Sequence, residues 1–438
     1  MNTNSNDYNV LRISLASLGL IWFSFLWSIC RKRYRLRPRS PLATASPSSV
    51  PGVSILRPLK GLDTNLYENL ESTFTQEYPN FEILLCVADE DDQALPVVRD
   101  LLSKYPHVAA KILVGEEVVG VNPKVNNLMG GYRSASNDIL WILDSNVVAD
   151  PGTLARAVDA LQTPTKSGKR VALVHHVPFA FSTESRAGSR IDEAFLNTNH
   201  AKMYLAINTV AIDSCVVGKS NIYRRSDLER VNGSLKPIKS TDPNAKQEGL
   251  CGLPAFGKFL AEDNMIASAL WHELGLRHDL SCDVARNVVG NMSLHDYIQR
   301  RVRWIRVRKH IVMAATLAEP FTESIVLVVI GSSSLKYLVG LPRWLCILVH
   351  FFLLLVVDLD VYTSLAAHPL PHSIKREFWA GWAAREVLAL PIFLWALFGN
   401  TVEWRGRRYQ ILNNGEPENI KHWIPSAEPV LTPGRIYT

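Results

Sequence analysis

Hydrophobic and polar positions follow one another along this chain in blocks that predict strands and helices in turn. Short apolar runs bounded by polar residues are typical of buried strands, and stretches with helical periodicity separate them. Strands that alternate with helices at intervals of about 30 residues predict βαβ units, a mainly parallel sheet and an α/β fold. The predicted strands are 53–56, 81–88, 110–114, 139–143, 171–176 and 216–223, and the predicted helices are 65–74, 96–104, one from 122, 151–161, 193–208 and 259–274.

The apolar run 139–143 ends abruptly in the carboxylate of Asp144. Ligands of open α/β sheets gather at the carboxyl ends of the strands. Mg²⁺ needs only one or two protein carboxylates when phosphate and water complete its shell, so Asp144 is sufficient in principle to hold a cation against a diphosphate. Ser145 and Asn146 follow, which gives an Asp-x-Asp-like element with an amide in the second place. The alternative is that Asp144 only caps the next helix.

Apolar segments near both ends of the chain predict a membrane protein. Residues 10–30 form a run of the length that crosses a bilayer core, about 20 residues. The basic block 31–39 comes after this run, which argues against a signal peptide and places the block in the cytosol. Residues 38–51, rich in Pro, Ser and Ala, predict a flexible linker. The apolar segments 325–341, 345–365 and 387–399 then predict spanning or re-entrant elements, with Lys375 and Arg376 in a cytosolic loop.

These patterns divide the chain into six parts. The path of the last apolar segment and of the basic tail stays open, because both flanking basic stretches prefer the cytosol. The parts are an N-terminal transmembrane anchor (1–30), a basic juxtamembrane segment and linker (31–51), a cytosolic catalytic domain (52–292), an amphipathic interface helix (293–320), C-terminal transmembrane or re-entrant segments (321–400) and a basic tail (401–438).

Composition narrows the class of protein. The chain has 438 residues, of which 47% are apolar and 20% charged, so it is neither disordered nor a membrane bundle throughout. Much of its net charge of +6 lies in the block 31–39. The position of this block after an apolar segment favours a membrane surface over nucleic acid. The six cysteines form no Cys-x-x-Cys pair, so we expect no thiolate zinc site, no disulfides and a reducing, cytosolic environment.

Acidic residues supply the first candidates for chemistry. Asp89, Asp91 and Asp92 crowd the end of the second predicted strand, where one of them could accept hydrogen bonds from a nucleobase or ribose. The alternative is a solvated acidic turn. Glu262 and Asp263 open a helix, whose N-terminus stabilises a charged carboxylate. Partial burial can restore the proton affinity that a general base needs. The alternative is that both acids simply cap the helix.

Basic and aromatic residues supply the second set. The basic amphipathic stretch 293–309 predicts a helix that suits a membrane surface. Arg300 and Arg303 lie on one face of it, where guanidinium forks suit a leaving diphosphate. The adjacent Trp304 can stack on a sugar or a lipid head group. A basic surface helix without a catalytic role is the alternative, and both roles can hold together.

Further positions are weaker candidates. Lys60 and Lys124 each follow a proline-containing turn and are candidates for phosphate or uracil contacts. His200 could bind substrate, although a lone histidine is more often structural. Cys215 is interpreted as a core residue. The loop 233–257, rich in Lys, Pro and Gly, is predicted to lie over the site.

Taken together, the motifs resemble those of the ceramide glucosyltransferase family, in the same order and over residues 51 to about 310. The anchor and the C-terminal apolar segments match the membrane layout of that family as well. Loop 233–257 is longer and more charged than in animal members and resembles fungal ones. The motifs that carry the resemblance are 51–61, 86–92, 122–127, Asp144-Ser145, 261–263 and Arg300-x-x-Arg303-Trp304.

The resemblance implies a GT-A fold, which is Rossmann-like, and a UDP-glucose donor. It implies transfer of glucose with inversion to the primary hydroxyl of ceramide, assisted by Mg²⁺ or Mn²⁺. By the resemblance, Asp92 holds the nucleotide, Asp144 holds the metal and Asp263 is the general base. Arg300, with its partners Arg303 and Trp304, forms the family's arginine-tryptophan motif. Asn146 stands where a second acid would complete an Asp-x-Asp motif. The prediction of a metal requirement is therefore weaker than a complete motif would give.

A mechanistic hypothesis follows for the remaining candidates. We expect uracil and ribose to lie near Pro58, Lys60 and Asp92, and Arg303 to provide a fixed positive charge beside the diphosphate. We expect His200 and Trp304 to contact the acceptor. The predicted partners are UDP-glucose, ceramide and a lipid bilayer, without nucleic acid, and the oligomeric state stays open. The predicted location is a Golgi or ER membrane with the catalytic domain facing the cytosol.

Two other functions compete with this hypothesis. A membrane glycosyltransferase that acts on another lipid or makes a polysaccharide shares the acids and the arginine-tryptophan motif. A polysaccharide synthase, however, needs more spanning helices to form a polymer channel. A catalytically inactive membrane scaffold would bind no sugar nucleotide, whereas this chain has every acid that the enzyme needs.

Overall fold

The structure is a computed structural model that describes residues 5–183, 185–240, 242, 244–404, 407–412 and 416–419. Helices cover both faces of an eight-stranded sheet, and a three-stranded sheet follows near the C-terminus. The strands are β1 (Val53–Leu59), β2 (Phe81–Val87), β3 (Ala110–Val114), β4 (Ile139–Leu143), β5 (Val147–Val148), β6 (Val171–Ser182), β7 (Ser220–Arg224), β8 (Arg277–Val289), β9 (Thr401–Trp404), β10 (Arg407–Ile411) and β11 (Pro417–Asn419).

The helices connect these strands as the alternating pattern predicts. A π-helical turn, Leu196–His200, joins two of them into one continuous helical segment. The helices are α1 (Ser5–Tyr34), α2 (Leu66–Phe74), α3 (Ala94–Lys104), α4 (Pro123–Ser134), α5 (Thr153–Gln162), α6 (Ala187–Phe195), α7 (Ala201–Val210), α8 (Arg225–Leu228), α9 (Glu262–His272), α10 (Leu294–Ile311), α11 (Met313–Ala318), α12 (Ser324–Val339), α13 (Arg343–Ala366) and α14 (Lys375–Leu397).

The central sheet has the strand order β3-β2-β1-β4-β7-β6-β8-β5. Strands β1 to β4 pair in parallel, and β7 runs antiparallel to both of its neighbours, β4 and β6. Strand β5 follows β4 directly in the chain, yet it pairs with β8 at the far edge, so the sheet curls. This architecture confirms the predicted α/β, GT-A-type fold with a mostly parallel sheet.

Side-chain alternation along β4 shows how the sheet is buried on both faces. Ile139, Trp141 and Leu143 pack with α2, α3 and α5, whereas Leu140 and Ile142 pack with α4 and α9. Successive side chains of a strand point to opposite faces, so an uninterrupted apolar run needs helices on both sides. Asp144, which follows this run, therefore lies at the edge of two hydrophobic layers.

One long strand of the sheet has no counterpart in the predicted elements. Strand β8 pairs with β6 in parallel over most of its length. Its sequence, RHDLSCDVARNVV, mixes charged and apolar residues and has no apolar run. The acids and the arginines of this strand reach partners on other elements, as Asp283 does with Arg156 at 2.7 Å. Tertiary ion pairs therefore compensate for its weak hydrophobic pattern.

The segment after α1 is ordered, which corrects the prediction of a flexible linker. Short 3-10 helices, Pro41–Thr44 and Pro47–Ser49, lie on the domain, and Leu42, Ala43 and Ala45 pack against its core. The helix α1 itself continues through the start of the basic block to Tyr34, whose hydroxyl donates to the Ser281 carbonyl at 3.0 Å.

The basic block is also tied to the domain by ion pairs. Arg33 lies 3.3 Å from Asp279, and Arg37 lies 3.0 Å from Asp150. Arg31 and Arg35 pair with Asp360 near the C-terminal end of α13. The block therefore joins α1, the sheet domain and α13, in addition to any contact with a membrane surface.

Two helices in the described part of the chain, α13 and α14, are long and apolar enough to cross a membrane. Helix α12 is shorter and apolar. The predicted segment 387–399 is wrong in its start, because α14 begins at Lys375 and contains both basic residues that were assigned to a loop. Close packing against α6 supports this longer helix: a Cβ on Gly381 would meet the Arg190 carbonyl oxygen at 2.7 Å.

Helix α10 lies between the sheet domain and α14, as well as beside the C-terminal strands. Its Val302 and Ile305 are buried with Ile392 and Phe393 of α14. These two side chains are therefore not available to a membrane surface, which corrects that part of the prediction. The predicted tail also contains structure, since residues 401–419 include β9, β10 and β11. Residues 420–438 of the predicted tail lie outside the described residues.

Candidate active site

A cavity of about 360 Å³ opens where β4 ends, between the loop before β7, the start of α9 and one face of α10. It brings together seven of the predicted site residues. Three others, Pro58, Lys60 and Asp92, are not among its lining residues. The predicted site residues in the cavity wall are Lys124, Asp144, His200, Asp263, Arg300, Arg303 and Trp304.

Two lysines hold the carboxylate of Asp144. Lys124 Nζ lies 2.8 Å from Oδ1, and Lys219 Nζ lies 3.0 Å from Oδ2. Lys219 also donates to Asn146 Oδ1 at 3.1 Å. Burial alone would raise the pKa of Asp144, but the two cations outweigh it and lower the pKa to about 2. Asp144 is therefore an anion at any physiological pH, which is the charge state that a metal ligand needs.

Arg57 fixes the loop that carries Asp144. Its guanidinium is fully buried in β1 and donates to the carbonyl of Val147 at 3.2 Å and of Ser145 at 3.3 Å. Burial lowers the pKa of Arg57 to about 9, while Asp144 and Asp63 act in the opposite direction. Asp63 in turn accepts a hydrogen bond from the Ser145 hydroxyl. The turn after β1 and the turn after β4 therefore hold each other in place.

Asp263 occupies the first turn of α9 and faces the same cavity. Burial and, after it, the neighbouring carboxylate of Glu262 raise the pKa of Asp263, Lys124 lowers it, and the net result is a pKa of about 7. Glu262 itself is held by Lys124 at 3.0 Å and by Asn122 at 2.7 Å. Of the two adjacent acids, Glu262 therefore has the structural contacts, and Asp263 has the proton affinity of a general base.

Gly218 makes the room that Asp263 occupies. A Cβ on Gly218 would lie 2.5 Å from Asp263 Oδ2 and 2.9 Å from its Cβ. The Gly218 carbonyl also accepts a hydrogen bond from Lys124 at 3.1 Å. The loop before β7 thus contacts both the base and the lysine, so glycine is required there by close approach.

The motif 122–127 has a contact for each of its polar side chains. Asn122 caps α4 and also donates to the Phe259 carbonyl at 2.9 Å, just before α9. Asn126 Oδ1 accepts from the backbone N–H groups of residues 119 and 120, and Asn127 donates to the Leu59 carbonyl at 2.9 Å. Through these contacts and those of Lys124, the motif holds the ends of β1 and β4 and the start of α9 close together.

The arginine-tryptophan motif forms the opposite wall of the cavity. Arg300 lies over the Trp304 ring at 4.9 Å and 3.7 Å from Asp192. Arg303 has no carboxylate within ion-pair distance among the described residues, and burial and Arg300 lower its pKa to about 10. A guanidinium that faces a cavity without a protein anion is suited to an anionic ligand.

His200 lies in the wall between Tyr204 and Trp304. Its ring stacks on Tyr204, with the centroids 5.7 Å apart, and lies 5.9 Å from Trp304. Burial, together with Arg301 and other nearby arginines, lowers the pKa of His200 to about 3. The imidazole is therefore neutral, and its Nδ1 has no hydrogen-bond partner among the described residues. Such a ring can contact a polar uncharged ligand but cannot neutralise a phosphate.

The three predicted nucleotide contacts lie beside this cavity rather than in its wall. Asp92 accepts hydrogen bonds from the Gly61 amide at 2.9 Å and the Ala94 amide at 2.8 Å, so it ties the turn after β1 to the start of α3. Lys60 is exposed in that turn, whereas Pro58 is buried within β1. Their role in nucleotide binding stays a prediction.

The residues around Asp144 fit a hard divalent cation. Asp144 and Asn146 offer a carboxylate and an amide oxygen, which are ligand types that Mg²⁺ and Mn²⁺ accept. In the described part of the chain, no group of three or more His, Cys, Asp or Glu side chains is placed so that it could hold a metal ion by itself. A cation at Asp144 would therefore take its remaining ligands from a diphosphate and water, and it would displace a lysine from the carboxylate.

Several cavity residues were not predicted from the sequence. Lys219 and Gly218 fell inside a run interpreted as a strand, which in fact begins at Ser220. Cys215, interpreted as core, lines the cavity, and burial raises its pKa to about 11. None of the described residues of loop 233–257 lines the cavity, and its position over the site stays a prediction. Gly218 and Lys219 form a Gly-Lys pair directly after an apolar run, and this sequence feature could have identified them as candidates.

The C-terminal strands support the segment that leads into Glu262 and Asp263. Val402, Tyr409 and Ile411 form a buried cluster with Val307 of α10, and Leu260 packs against it. Lys258, two residues before Leu260, also pairs with Glu416 at 2.9 Å. The three-stranded sheet therefore packs the segment before α9 against α10.

Comparison with known proteins identifies the family of this chain. The sequence profile of glycosyl transferase family 21 matches residues 20–241 and 244–416, and the chain belongs to this family of glycosyltransferases. It is similar to the ceramide glucosyltransferase of Komagataella phaffii, with 37% identity over 91% of this chain and 90% of that protein. It is also similar to the ceramide glucosyltransferase of Gibberella zeae, with 33% identity over 91% of this chain and 89% of that protein. The resemblance stated from the motifs is confirmed.

More distant similarity extends to an animal protein and a solved structure. Ceramide glucosyltransferase 1 of Caenorhabditis elegans is 31% identical over 91% of this chain and 78% of that protein. A mannosyltransferase from Pyrobaculum calidifontis, solved in complex with GDP-Man and Mn²⁺, is 17% identical with a TM-score of 0.45, over 89% of this chain and 99% of that one.

Proposed function

We propose that this protein transfers glucose from UDP-glucose to the primary hydroxyl of ceramide and inverts the anomeric configuration to give β-glucosylceramide. The observation that carries the proposal is the convergence of Asp144, Asp263 and Arg303 on one cavity, from elements far apart in the sequence. The family and the names of its relatives supply the donor and the acceptor. A transferase that acts on a different lipid or a polysaccharide has no comparable support.

The donor lies with its diphosphate between Asp144 and the arginine-tryptophan helix. Arg303 faces the leaving diphosphate with a full positive charge, and Lys124 and Lys219 line the other side. Fixed cations around the leaving group stabilise the charge that develops as the glycosidic bond breaks. The nucleoside extends towards the turn after β1, where Asp92 holds the backbone around Lys60.

Asp263 removes the proton from the acceptor hydroxyl. A base with a pKa near neutrality combines a large deprotonated fraction with a useful proton affinity. The hydroxyl oxygen attacks the anomeric carbon on the face opposite the departing UDP, so one displacement converts the α-linked donor into a β-linked product. His200 and Trp304, both uncharged, form the wall on which the acceptor head group rests.

A divalent cation, Mg²⁺ or Mn²⁺, bound at Asp144 would neutralise diphosphate charge as UDP departs. Asp144 is an anion before any ligand arrives, and Asn146 Oδ1 lies beside it through their shared contact with Lys219. The two lysines satisfy the carboxylate in the absence of a cation, so the loop after β4 does not have to carry an uncompensated charge.

The acceptor is a membrane lipid, which requires the cavity to lie at a bilayer. Helices α13 and α14 have the length and composition to span one, and we assign α1 the same role. We place the catalytic domain on the cytosolic side of a Golgi or ER membrane, because the basic block that follows α1 prefers that side. The ion pairs between the block and the domain keep the cavity close to the helices.

A direct assay tests the proposal. The full-length protein in membranes is incubated with labelled UDP-glucose or UDP-galactose together with ceramide, diacylglycerol or a sterol, and the labelled lipid is identified. We expect glucosylceramide with a β linkage and little product from the other combinations. Equal or greater transfer to diacylglycerol or sterol, or an α-linked product, would refute the proposal.

A further inference from the structure

A second cavity, which we call the helix groove, lies between α1, α12 and α13 and has a volume of about 430 Å³. Its walls are aliphatic side chains, among them Leu20, Leu338 and Leu353, which are half exposed or more. Its volume falls within the range of about 300–1,000 Å³ that is usual for ligand sites. The groove is therefore large enough for part of an apolar ligand. It opens beside α13, which is long and apolar enough to cross a membrane, and beside the shorter apolar helix α12.

The floor of the groove is polar, and its charges are already paired within the protein. Lys202 contacts Asp358, and Arg385 contacts both Glu386 and Glu323. These acids at least balance the two cations, so the floor offers no uncompensated positive charge to an anionic head group. An uncharged amphiphile fits this floor better than a phospholipid does.

One imidazole on the floor offers a free polar atom. His350 lines the groove, and its Nε2 is buried without a hydrogen-bond partner among the described residues. A buried polar atom without a partner is costly, and a ligand that supplies a hydrogen bond removes that cost. An amide or hydroxyl group of a lipid is of the right kind.

The groove and the active-site cavity share one wall. Asn199 and Lys202 line the groove, whereas His200, Met203 and Tyr204 line the active-site cavity. These residues lie on one helical segment, where positions three or four apart share a face and their neighbours point elsewhere. The π-helical turn Leu196–His200 lies at this wall. The polar end of a lipid in the groove would therefore be separated from the active-site cavity by this one helical segment.

We propose that the helix groove binds one hydrocarbon chain of the acceptor ceramide, with the amide and hydroxyl region of the lipid at the polar floor. The inference rests on the proposed function, since it assigns a site to the acceptor of that reaction. The half-exposed leucines form the side through which the chain enters from the bilayer, and the shared helical segment places the head group of the lipid next to the active-site cavity.

Gly331 allows the groove to be filled without disturbing its surroundings. An added Cβ at this position meets no atom of the described chain within 4 Å, and Gly331 lines the groove. Gly331→Phe would therefore occupy space that the chain needs. Val329→Phe is the matched control, because Val329 is on the same helix, is exposed and does not line the groove.

The test measures kcat/KM with ceramides of long and short chains, with the N-acyl chain and the sphingoid chain shortened separately. Each methylene kept out of an apolar site costs roughly fourfold in affinity. We expect Gly331→Phe to lower kcat/KM for the long-chain acceptors at least about tenfold, and to leave one short-chain acceptor nearly unchanged. The shortened chain that restores activity is the one that the groove binds. Val329→Phe should behave like the wild type with every acceptor.

Other outcomes overturn the inference and keep it separate from the proposed function. If Gly331→Phe is as active as the wild type on long chains, or lowers activity equally on all chains, the groove is not the chain site. If the wild type glucosylates no ceramide, the proposed function itself fails. A photoreactive ceramide with a diazirine in the chain provides a test in the wild-type protein: labelling in α12 or α13 at groove residues supports the inference, and labelling only elsewhere refutes it.

Discussion

Lys124 Nζ lies 2.8 Å from Asp144 Oδ1, and the same ammonium group reaches Glu262 at 3.0 Å. One cation therefore joins the end of β4 to the start of α9, two elements that are more than a hundred residues apart in the sequence. Because this lysine is shared by two acids, it only partly offsets the raised pKa of the third, Asp263. The arrangement leaves Asp263 with a raised pKa beside two acids that are paired with lysine.

The first prediction concerns Asp263 as the base. Asp263→Asn keeps the size of the side chain but removes its proton acceptor, so turnover should fall by about 10²–10⁴-fold. UDP-glucose binding, measured by calorimetry, should remain largely intact. Asp213→Asn is the control, because Asp213 pairs with His272 away from the cavity. Loss of donor binding in the Asp263 variant would contradict the assignment.

The second prediction concerns pH. Asp263 must be deprotonated to act, and its pKa is raised to about 7, so kcat/KM for the free enzyme should rise with pH up to about that value. Glu262 raises this pKa through its charge, so Glu262→Gln should shift the acid limb to lower pH. A pH–rate profile of both proteins is the measurement. An unshifted limb would mean that Glu262 does not act on the base electrostatically.

The third prediction concerns the metal. Asp144→Asn removes the carboxylate and leaves Lys124 and Lys219 without their shared anion. In the wild type, UDP should bind more tightly with Mg²⁺ or Mn²⁺ than after chelation by EDTA. In the variant, UDP binding should no longer respond to the divalent ion. A variant that keeps the full metal response would move the cation site away from Asp144.

The fourth prediction concerns Gly218. Gly218→Ala places a Cβ within 2.5 Å of Asp263 Oδ2, so the base must move and kcat should fall. Displacements of about 1 Å at a reacting group can cost about 10²-fold in rate. Gly130→Ala, where the nearest contact would be an ordinary 3.9 Å, is the matched control and should retain activity. Equal kcat values for the two variants would show that the close approach does not constrain the base.

The fifth prediction concerns the C-terminal strands. Ile411 is buried in the cluster that supports Leu260, three residues before Asp263. Ile411→Ala should destabilise this cluster by about 2–5 kcal/mol and lower kcat, because α9 loses its support. The UDP-glucose affinity should change little. Gln410→Ala, on the same strand but exposed, should leave kcat unchanged, and an equal loss in both variants would argue against a positioning role.

Much of the sheet could be predicted from the sequence because its central strands are apolar on both faces. The runs that became β1, β2 and β4 contain little but hydrophobic residues, so helices on both sides and a polar residue at the end were expected. Strand β8 escaped prediction because buried ion pairs, such as Arg156 with Asp283, replace apolar contacts. Such a strand cannot be recognised from hydrophobicity alone.

The candidate site was predictable only in part, for a similar reason. Asp144 and Asp263 stand at the end of a strand and the start of a helix, positions that the pattern shows directly. Lys219 and Gly218 act through contacts across the chain, with Asp144 and Asp263 respectively, which no local pattern reveals. Arg57 follows the predicted strand 53–56, but β1 continues to Leu59, so the guanidinium is buried and binds the loop beyond β4.

The ion pairs of the basic block have a practical consequence for preparing the catalytic domain. Removing residues 5–37 would leave Asp279 and Asp150 without the guanidinium groups of Arg33 and Arg37, and would uncover the Ser281 carbonyl that Tyr34 contacts. In a water-soluble fragment made by removing the first helix, the carboxylate of Asp279 on the sheet would therefore be exposed without its partner. Asp150 keeps its ion pair with Arg286 at 3.2 Å, so a compensating substitution would be needed at Asp279 before such a fragment could be purified in quantity.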